Sequence, residues 1–428
     1  MKLFTRLFSL TSLSAAVGIV FLGAMAGEFL LRQSARPTVQ AEISGQTRHY
    51  YIAADEVDWD YAPSGVNKIT GQPFDDAANV FVQPGDGRIG RRYRKALYRE
   101  YTDATFTSLK PLAPEWRHLG TLGPAIHAEV GDTIVVDFKN NTRYPVSMHP
   151  HGVLYRKDSE GAPYADGTSG ADKADDGVPT GQTHTYTWQV PERAGPGPGD
   201  GSSVLWMYHS HSDEVMDSYG GLIGPMIITA RGQAKPDGSP KDVDREFVTM
   251  FLVADENQSG YLDDNIKQYA GQPQTVNKDD EEFHESNLMH SINGYVFGNL
   301  PGLDMKVGER VRWYVIGMGT EVDLHTPHWH GQTLVSSGMG MGARTDMVEL
   351  LPGSMKILDM LPDNPGTWLF HCHVNDHITA GMLALFTVAP AEAAPAKPQG
   401  AAAAVSAGIA DPIWQFYCRL TGKPVAHA

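Results

Sequence analysis

The sequence predicts an all-β fold made of two tandem β-sandwich or β-barrel domains. Short runs of β-branched and aromatic residues alternate with turns rich in Gly, Pro, Asn and Asp, and amphipathic helical periodicity is scarce. The runs fall into two blocks, residues 45–230 and residues 245–388. Three motifs of the first block recur in the same order in the second, as expected for a duplicated domain. Together these observations favour layered or closed sheets over a helical fold.

The 428 residues divide into four predicted segments. Residues 1–41 form an export segment, 42–232 the first β-domain and 245–390 the second. Between the domains lies a polar, turn-rich linker at 231–244. Residues 391–428 form an Ala/Pro-rich linker and a C-terminal tail.

The first residues carry the pattern of an export signal. Lys2 and Arg6 precede an apolar stretch that ends in the small-x-small pattern Ala-Met-Ala at 24–26, and residues 39–41 form a second candidate cleavage site. Cleavage predicts a periplasmic or extracellular protein. The alternative is an uncleaved stretch that anchors the protein to the membrane.

Charge and cysteine content narrow the functional classes. The formal net charge of −16 argues against a nucleic-acid partner. An acidic surface suits a cationic substrate, and solubility explains it equally well. The two cysteines, Cys372 and Cys418, allow at most one disulfide, which metal binding by Cys372 would exclude.

Four His-x-His pairs are the strongest chemical signal. Residues two apart on a strand point to the same face, so each pair directs two imidazoles to one place. Imidazole binds copper, zinc, iron and nickel. A single pair is more often an ordinary surface or core feature, but four pairs at corresponding places in two repeats predict a metal cluster. The pairs are His149/His151, His209/His211, His328/His330 and His371/His373.

The second repeat adds a softer set of ligands. His325, Cys372, His377 and Met382 offer two imidazoles, a thiolate and a thioether, the set of a blue-copper site with a weak axial methionine. Core packing is the alternative role for Met382, because it begins an apolar strand. An alignment of the repeats without gaps places Val146, Ser210, Val215 and Gly220, in that order, opposite the four ligands.

The alignment therefore separates two functions. Each repeat supplies four imidazoles, which predicts a cluster of eight at an interface between two domains, and one blue site in the second domain. Cys372 lies between His371 and His373, and on a strand its side chain points away from theirs. One tripeptide would thus carry electrons from the blue site to the cluster.

These motifs resemble those of the multicopper oxidases. HPHG, HSH, HTPHWHG and HCHVNDHITAGM match the four copper motifs of that family in order and spacing. The resemblance implies tandem cupredoxin-like Greek-key barrels, four coppers per active unit and reduction of O2 to water. It assigns the type 1 copper to His325, Cys372, His377 and Met382. It assigns the type 2 copper to His149 and His328, and the type 3 pair to His151, His209, His211, His330, His371 and His373.

Longer segments, among them KALYREYTDATFTSL and HESNLMHSINGYVFGNL, are similar to the ceruloplasmin and hephaestin type of this family. The similarity covers about residues 49–388 and implies Fe(II) as the electron donor. It assigns the iron to Glu285, His290 and Asp376, a set of hard carboxylates and one imidazole that suits Fe(II). The alternatives are two solvated surface acids and a structural histidine.

Two further expectations come from the same resemblance. The loop at 171–177 is similar to the family's calcium loop, with Asp172, Asp175 and Asp176 as oxygen ligands, although an ordinary acidic loop explains it equally well. The six-domain relatives form a ring, and three two-domain chains would rebuild it. We therefore expect a homotrimer in which each trinuclear cluster lies between the first domain of one chain and the second domain of its neighbour.

Three functions compete at this point. The first is a ferroxidase, and the second is a laccase-like oxidase of phenols or other small reductants. The third is a copper-binding electron carrier that does not reduce O2, and eight cluster histidines argue against it.

Overall fold

The computed structural model describes residues 45–337 and 342–391. Within these residues the chain forms eighteen strands in four sheets, with five short α-helices between them. The all-β prediction is therefore confirmed. The predicted export segment, the C-terminal tail and Cys418 lie outside the described residues. In the part of the chain that is described, no helix has the length and hydropathy needed to cross a membrane.

Residues 47–229 form two four-stranded sheets. The first sheet has the order β2-β1-β4-β6. Its strands are β1 (Thr47–Asp60), β2 (Arg92–Glu100), β4 (Thr133–Asn140) and β6 (Thr183–Gln189). The second sheet has the order β3-β8-β7-β5. Its strands are β3 (Ile126–Glu129), β5 (His149–Pro150), β7 (Ser203–His209) and β8 (Ile223–Thr229).

Residues 245–389 form a six-stranded and a four-stranded sheet. The larger sheet has the order β10-β9-β12-β16-β14-β15. Its strands are β9 (Arg245–Asp255), β10 (Leu288–Ile292), β12 (Val311–Gly317), β14 (Leu334–Ser337), β15 (Arg344–Thr345) and β16 (Ser354–Met360). The smaller sheet has the order β11-β18-β17-β13. Its strands are β11 (Asp304–Lys306), β13 (Pro327–Trp329), β17 (Gly366–Cys372) and β18 (Leu383–Ala389). The predicted domain limits, 42–232 and 245–390, enclose these two pairs of sheets and stay a prediction.

Each pair of sheets encloses its own apolar core. Burial alternates residue by residue along β4 and β18, so one face of each strand points inward. Phe138 and Trp188 lie in the first core, and Phe370 and Trp313 in the second, all fully buried. Burying a phenylalanine of this kind contributes about 1.5–3 kcal/mol.

The helices are short and connect strands. They are α1 (Asp76–Val82), α2 (Glu214–Gly220), α3 (Leu262–Tyr269), α4 (Glu281–Ser286) and α5 (Asn375–Thr379). Of these, α2 joins β7 to β8 and α5 joins β17 to β18. Each of the two connections ends at a glycine with positive φ, Gly221 at 114° and Gly381 at 107°. A Cβ on Gly381 would lie 2.8 Å from the Phe297 ring, so only glycine fits this close approach.

Candidate metal centres

The second half of the chain brings together the ligand atoms of three residues of the predicted blue-copper set, His325, Cys372 and His377. The Cys372 sulfur lies 3.4 Å from His377 Nδ1 and 3.9 Å from His325 Nδ1. The two imidazole nitrogens are 3.2 Å apart. Three donors at such mutual distances surround a space that fits one metal ion, and a thiolate with two imidazoles suits copper.

Met382 is fully buried in the same core as Cys372. The Cys372 backbone N–H donates to the Met382 carbonyl at 3.2 Å, and the Met382 N–H donates to the His377 carbonyl at 2.9 Å. These two bonds hold the turn after β17 closed. The turn therefore keeps the Met382 backbone next to those of Cys372 and His377.

The surroundings of Cys372 favour its thiolate. Burial alone would raise the pKa of the thiol, but hydrogen bonds with His325 and His377 outweigh burial and lower the pKa to about 6. The backbone N–H of Thr326 also donates to the sulfur, at 3.4 Å. A deprotonated thiol is the form that binds a metal ion.

Asp323 is a functional residue that the sequence prediction missed. Its carboxylate lies 3.2 Å from His325 Nε2 and is 1% exposed. It also accepts backbone N–H groups of Val253 and Thr320, at 2.7 and 2.8 Å. A carboxylate behind a ligating histidine fixes the ring orientation, so that Nδ1 faces Cys372. The spacing Asp-x-His could have indicated it, because residues two apart on an extended chain share a face.

Two strands bring together the imidazoles of the second half. His328 of β13 pairs with His371 of β17 across the sheet, next to the pair Trp329 and Phe370. His371 Nε2 lies 3.3 Å from His328 Nδ1 and 3.0 Å from His330 Nε2. The His371 and His373 rings lie 5.5 Å apart. The structure thus gathers His328, His330, His371 and His373 into one group, which we call the second imidazole group.

The hydrogen bond at the other nitrogen of His371 orients its ring. Its Nδ1 donates to the carbonyl of Cys372 at 2.7 Å, which directs Nε2 toward the group. The same bond connects the residue carrying the thiolate directly to an imidazole of the group. Burial lowers the pKa of His371, as it does that of His330, so both rings stay neutral and able to bind a metal.

The first half builds a similar group from His149, His151, His209 and His211. His149 of β5 pairs with His209 of β7, and His151 Nε2 lies 3.0 Å from His209 Nε2. The His209–His211 and His149–His211 rings lie 5.5 and 5.3 Å apart. Burial lowers the pKa of His151 and of His209 to about 4. These four residues form the first imidazole group.

The two imidazole groups are separate within one chain. Among the described residues, every ring contact of these eight histidines with another of the eight stays inside one group. A single chain therefore presents two sets of four imidazoles rather than one set of eight.

The strand register corrects two positions of the repeat alignment. His371 pairs with Leu383 and His209 pairs with Ile223, so Met382 corresponds to Leu222 rather than to Gly220. The Leu222 N–H donates to the Asp217 carbonyl, as the Met382 N–H does to that of His377. Asp217, not Val215, is thus the counterpart of His377. The alignment failed because α2 has seven residues and α5 has five.

Of the predicted iron residues, His290 lies beside the blue-copper set, and the three do not form a compact site of their own. The His290 ring is 5.3 Å from that of His377, and its Nδ1 donates to the Leu288 carbonyl at 2.9 Å. Burial lowers the pKa of His290 to about 4. Glu285 of α4 and Asp376 of α5 are exposed. In the described part of the chain, ligand atoms of three such residues come within 4.8 Å only in the two sets around Cys372 and His371.

The three aspartates of the predicted calcium loop differ in environment. Asp172 is exposed, whereas Asp175 is fully buried and its Oδ1 has no hydrogen-bond partner. Asp176 lies 3.1 Å from the ammonium of Lys173, which is also 3.1 Å from Asp166. Only Asp175 therefore retains an uncompensated buried oxygen.

Comparison with known proteins agrees with these motifs. Two models described as multicopper oxidase match residues 120–233 and 268–392, together more than half of the chain. The chain belongs to the multicopper oxidase family. Copper is therefore the metal that these thiolate and imidazole sets are built to hold.

Several curated proteins resemble this multicopper oxidase over most of its length. Human ferroxidase HEPHL1 is 48% identical over 345 residues, which is 80% of this chain and 29% of that protein. Human hephaestin is 46% identical over 82% of this chain and 30% of its own. Mouse ceruloplasmin is 43% identical over 87% of this chain and 34% of its own. The chain thus spans about a third of the length of these relatives.

Solved structures show the same fold at low sequence identity. A multicopper oxidase crystal structure matches with a TM-score of 0.50 and 19% identity, over 80% of this chain and 89% of that one. A copper nitrite reductase from Nitrosomonas europaea matches with a TM-score of 0.50 and 18% identity, over 83% of this chain and 98% of that one. The two pairs of sheets are accordingly tandem cupredoxin-like β-domains.

Proposed function

We propose that this multicopper oxidase takes single electrons from a small reductant, most favourably Fe(II), and passes them to O2. The observation that carries the proposal is the joint position of Cys372 and His371. The Cys372 sulfur belongs to the blue-copper set, and its carbonyl accepts a hydrogen bond from an imidazole of the second group. In balance, four Fe(II), one O2 and four protons give four Fe(III) and two waters.

Different residues of this chain would serve electron uptake and O2 reduction. Copper, with four ions per active unit, would supply the one-electron steps when bound. Cys372 would hold one ion as a thiolate, with His325 and His377 as its imidazole ligands. The two imidazole groups would supply the remaining ligands where O2 is reduced, through the nitrogen lone pairs of their rings.

Three observations favour Fe(II) over an organic donor. Human HEPHL1, at 48% identity, is named a ferroxidase. The His290 ring lies 5.3 Å from that of His377, and Asp376 and Glu285 are exposed carboxylates of the hard type that suits Fe(II). The net charge of −16 attracts cations. A laccase-like oxidation of phenols is the alternative.

The test compares Fe(II) and phenol oxidation in Glu285→Ala and Asp376→Ala, with Glu281→Ala as a matched exposed control on the same helix as Glu285. We expect both variants to lose Fe(II) turnover while phenol turnover and the blue absorbance stay near wild type. Full Fe(II) turnover in both variants would refute the iron assignment. A wild type that oxidises phenols but not Fe(II) would establish the alternative function.

We also propose that the eight-imidazole cluster forms between chains of a homotrimer. Within one chain the two imidazole groups do not touch, so each needs a partner. Two exposed apolar side chains lie beside the groups: Val215, four residues after His211, and Met347, which forms a β-bridge with His328. Such side chains suit an interface between copies.

Mixing two inactive variants tests this arrangement directly. His209→Ala disables the first group and His330→Ala disables the second. Trimers formed from both variants contain interfaces in which both groups are intact, so oxidase activity should return on co-refolding. No recovery, or an active monomer by light scattering, would refute an interchain cluster.

We further propose that the loop at residues 171–177 binds a hard cation. The unpartnered buried oxygen of Asp175 supports it, because a buried carboxylate needs compensation. The Lys173 ammonium already compensates Asp176 and Asp166. Calorimetric titration with Ca²⁺ should show binding that Asp175→Asn removes; no heat of binding in the wild type would identify the loop as an ordinary acidic one.

A further inference from the structure

Asp175 stands behind the first imidazole group without touching any of its histidines. The residue is fully buried, and its Oδ2 accepts the backbone N–H of Glu160 at 2.8 Å and that of Gly161 at 2.7 Å. Charge-assisted bonds of this kind are about twice as strong as neutral ones. One carboxylate oxygen therefore fixes two consecutive peptide groups.

The first of these peptide groups orients His149. The carbonyl of Glu160 accepts a hydrogen bond from His149 Nδ1 at 2.7 Å. This bond sets the tautomer of the ring and leaves Nε2 as the nitrogen able to bind a metal. The position of the Glu160 carbonyl thus decides where the His149 lone pair points.

The second peptide group is connected to His211, which belongs to the other His-x-His pair of the first imidazole group. The carbonyl of Gly161 accepts a hydrogen bond from Ser147 Oγ at 2.6 Å. Ser147 Oγ in turn accepts the backbone N–H of His211 at 3.0 Å. Gly161 has φ of 72°, and a Cβ there would lie 2.5 Å from the Met148 carbonyl oxygen, so only glycine fits this close approach.

Backbone groups of the same loop add two more connections. The Asp175 carbonyl accepts from Tyr186 Oη at 2.9 Å, and that oxygen accepts the Met148 N–H at 3.1 Å. The Asp176 carbonyl accepts from Ser212 Oγ at 2.7 Å. The loop at 171–177 is therefore bonded to residues next to both His149 and His211.

We propose that Asp175 is a positioning residue for the first imidazole group. Its buried carboxylate sets the direction of His149 and the place of His211 through two adjacent peptide groups. The inference rests on the proposed assignment of these histidines to copper. It needs no particular occupant at Oδ1, because all the connections to the histidines run through Oδ2 and the backbone.

Replacing Asp175 should weaken copper at the first imidazole group and spare the blue site. Loss of such a supporting partner lowers metal affinity by about 10- to 100-fold. Asp175→Ala removes both connections, whereas Asp175→Asn keeps an oxygen in place and should lose only a few-fold. Ser147→Ala breaks only the connection to His211 and should fall between them. Asp279→Ala, an exposed acid outside this loop, is the control and should bind copper as the wild type does.

The measurements are copper bound per chain, the blue absorbance and the type 2 copper signal by electron paramagnetic resonance, on protein with unchanged circular dichroism. We expect Asp175→Ala to keep its blue absorbance and to lose the type 2 signal. Wild-type copper content and type 2 signal in that variant, or an equal loss in Asp279→Ala, would overturn the inference. If Asp175→Ala does not fold, unchanged copper binding by Ser147→Ala overturns it and a selective loss supports it. A wild type without a type 2 signal would instead refute the proposed function itself.

Discussion

The surroundings of Cys372 and of Ser210 share one backbone frame and differ in four side chains. In both, two histidines pair across neighbouring strands, His328 with His371 and His149 with His209. In both, the ring of the second histidine donates Nδ1 to the next carbonyl, at 2.7 Å in His371 and 3.0 Å in His209. Both frames thus present imidazoles on one face and enclose a buried pocket on the other.

The pockets themselves have different chemistry. Around Cys372 stand His325, His377 and Met382, all buried and all donors to a soft metal. The corresponding residues around Ser210 are Val146, Asp217 and Leu222, and Ser210 Oγ donates to the Asp217 carboxylate at 2.5 Å. Val146 and Leu222 offer no lone pair, and Ser210 and Asp217 form a hydrogen bond with each other. Within the described residues, the frame therefore provides two imidazole groups but only one set that combines a thiol with two imidazoles.

The largest expected effect comes from exchanging the residue at the centre of each pocket. Cys372→Ser should abolish the blue absorbance and reduce donor oxidation to background, because a serine hydroxyl does not replace a thiolate toward copper. Visible spectroscopy and a copper assay measure this. In the reciprocal variant, Ser210→Cys, no second blue band should develop, since Val146 and Leu222 offer no donors. A blue band in the Cys372→Ser protein would contradict the assigned site.

The next effect concerns the carboxylate behind His325. Asp323→Ala should lower copper affinity at the Cys372 pocket by about 10- to 100-fold, because His325 Nε2 loses its partner. It also leaves the N–H groups of Val253 and Thr320 without their acceptor. Asp323→Asn keeps that acceptor and should lose less. Competition with a copper chelator, followed by the blue absorbance, decides; equal affinity in Asp323→Ala would show that His325 needs no support.

A smaller effect is a pH dependence of stability that resides in the Ser210 pocket. Burial raises the pKa of Asp217 to about 6, whereas an unfolded aspartate titrates near 3.9. The folded state therefore binds the proton more tightly than the unfolded state does. The stabilisation that protonated Asp217 contributes is complete below about pH 4 and is lost as the pH rises through about 6. Asp217→Asn should raise the free energy of unfolding at pH 7 by about 1–2 kcal/mol, after some loss of hydrogen bonding.

Denaturant unfolding between pH 3 and pH 7 checks this sign. Below about pH 3, where Asp217 is protonated in both states, only the lost hydrogen bonding should separate variant and wild type, and the difference should shift in favour of the variant toward pH 7. The corresponding pocket around Cys372 has no buried carboxylate at this position, since His377 takes the place of Asp217. A difference that stays constant across the range would mean that Asp217 is not the titrating group.

The sequence was sufficient to predict the fold class and to propose the ligands because both depend on local pattern. Strand periodicity places His371 and His373 on one face and Cys372 on the other, and the structure brings His325 and His377 to that sulfur. Helix α2 is two residues longer than α5, and the sequence pattern alone could not show where the corresponding gap in the repeat alignment belongs. The positive-φ glycines, Gly221 and Gly381, mark where the alignment returns to register.

Supporting residues were harder to predict, because their partners are remote in sequence or are backbone groups. Asp175 was predicted only as a calcium ligand, and its hydrogen bonds to Glu160 and Gly161 depend on tertiary packing. Whether the two imidazole groups meet was likewise beyond a repeat alignment, which counts eight rings without locating them. The identity of the side chains was enough to predict the metal ligands, but only the folded structure shows which of them lie close enough to share a metal ion.

The smallest expected effect separates packing from metal binding at Met382. Met382→Leu makes this position like Leu222 and nearly conserves volume, so stability should fall by less than about 1.5 kcal/mol. The thiolate and two imidazoles remain, so copper and blue absorbance should be kept. A thioether lone pair stabilises Cu(II) more than Cu(I), so its loss should raise the reduction potential of the blue site. Redox titration of the blue band measures the shift, and Leu222→Met should leave the potential unchanged, because no copper-binding set surrounds Leu222. An unshifted potential in Met382→Leu would assign Met382 to core packing, the alternative role that its place in an apolar strand had left open.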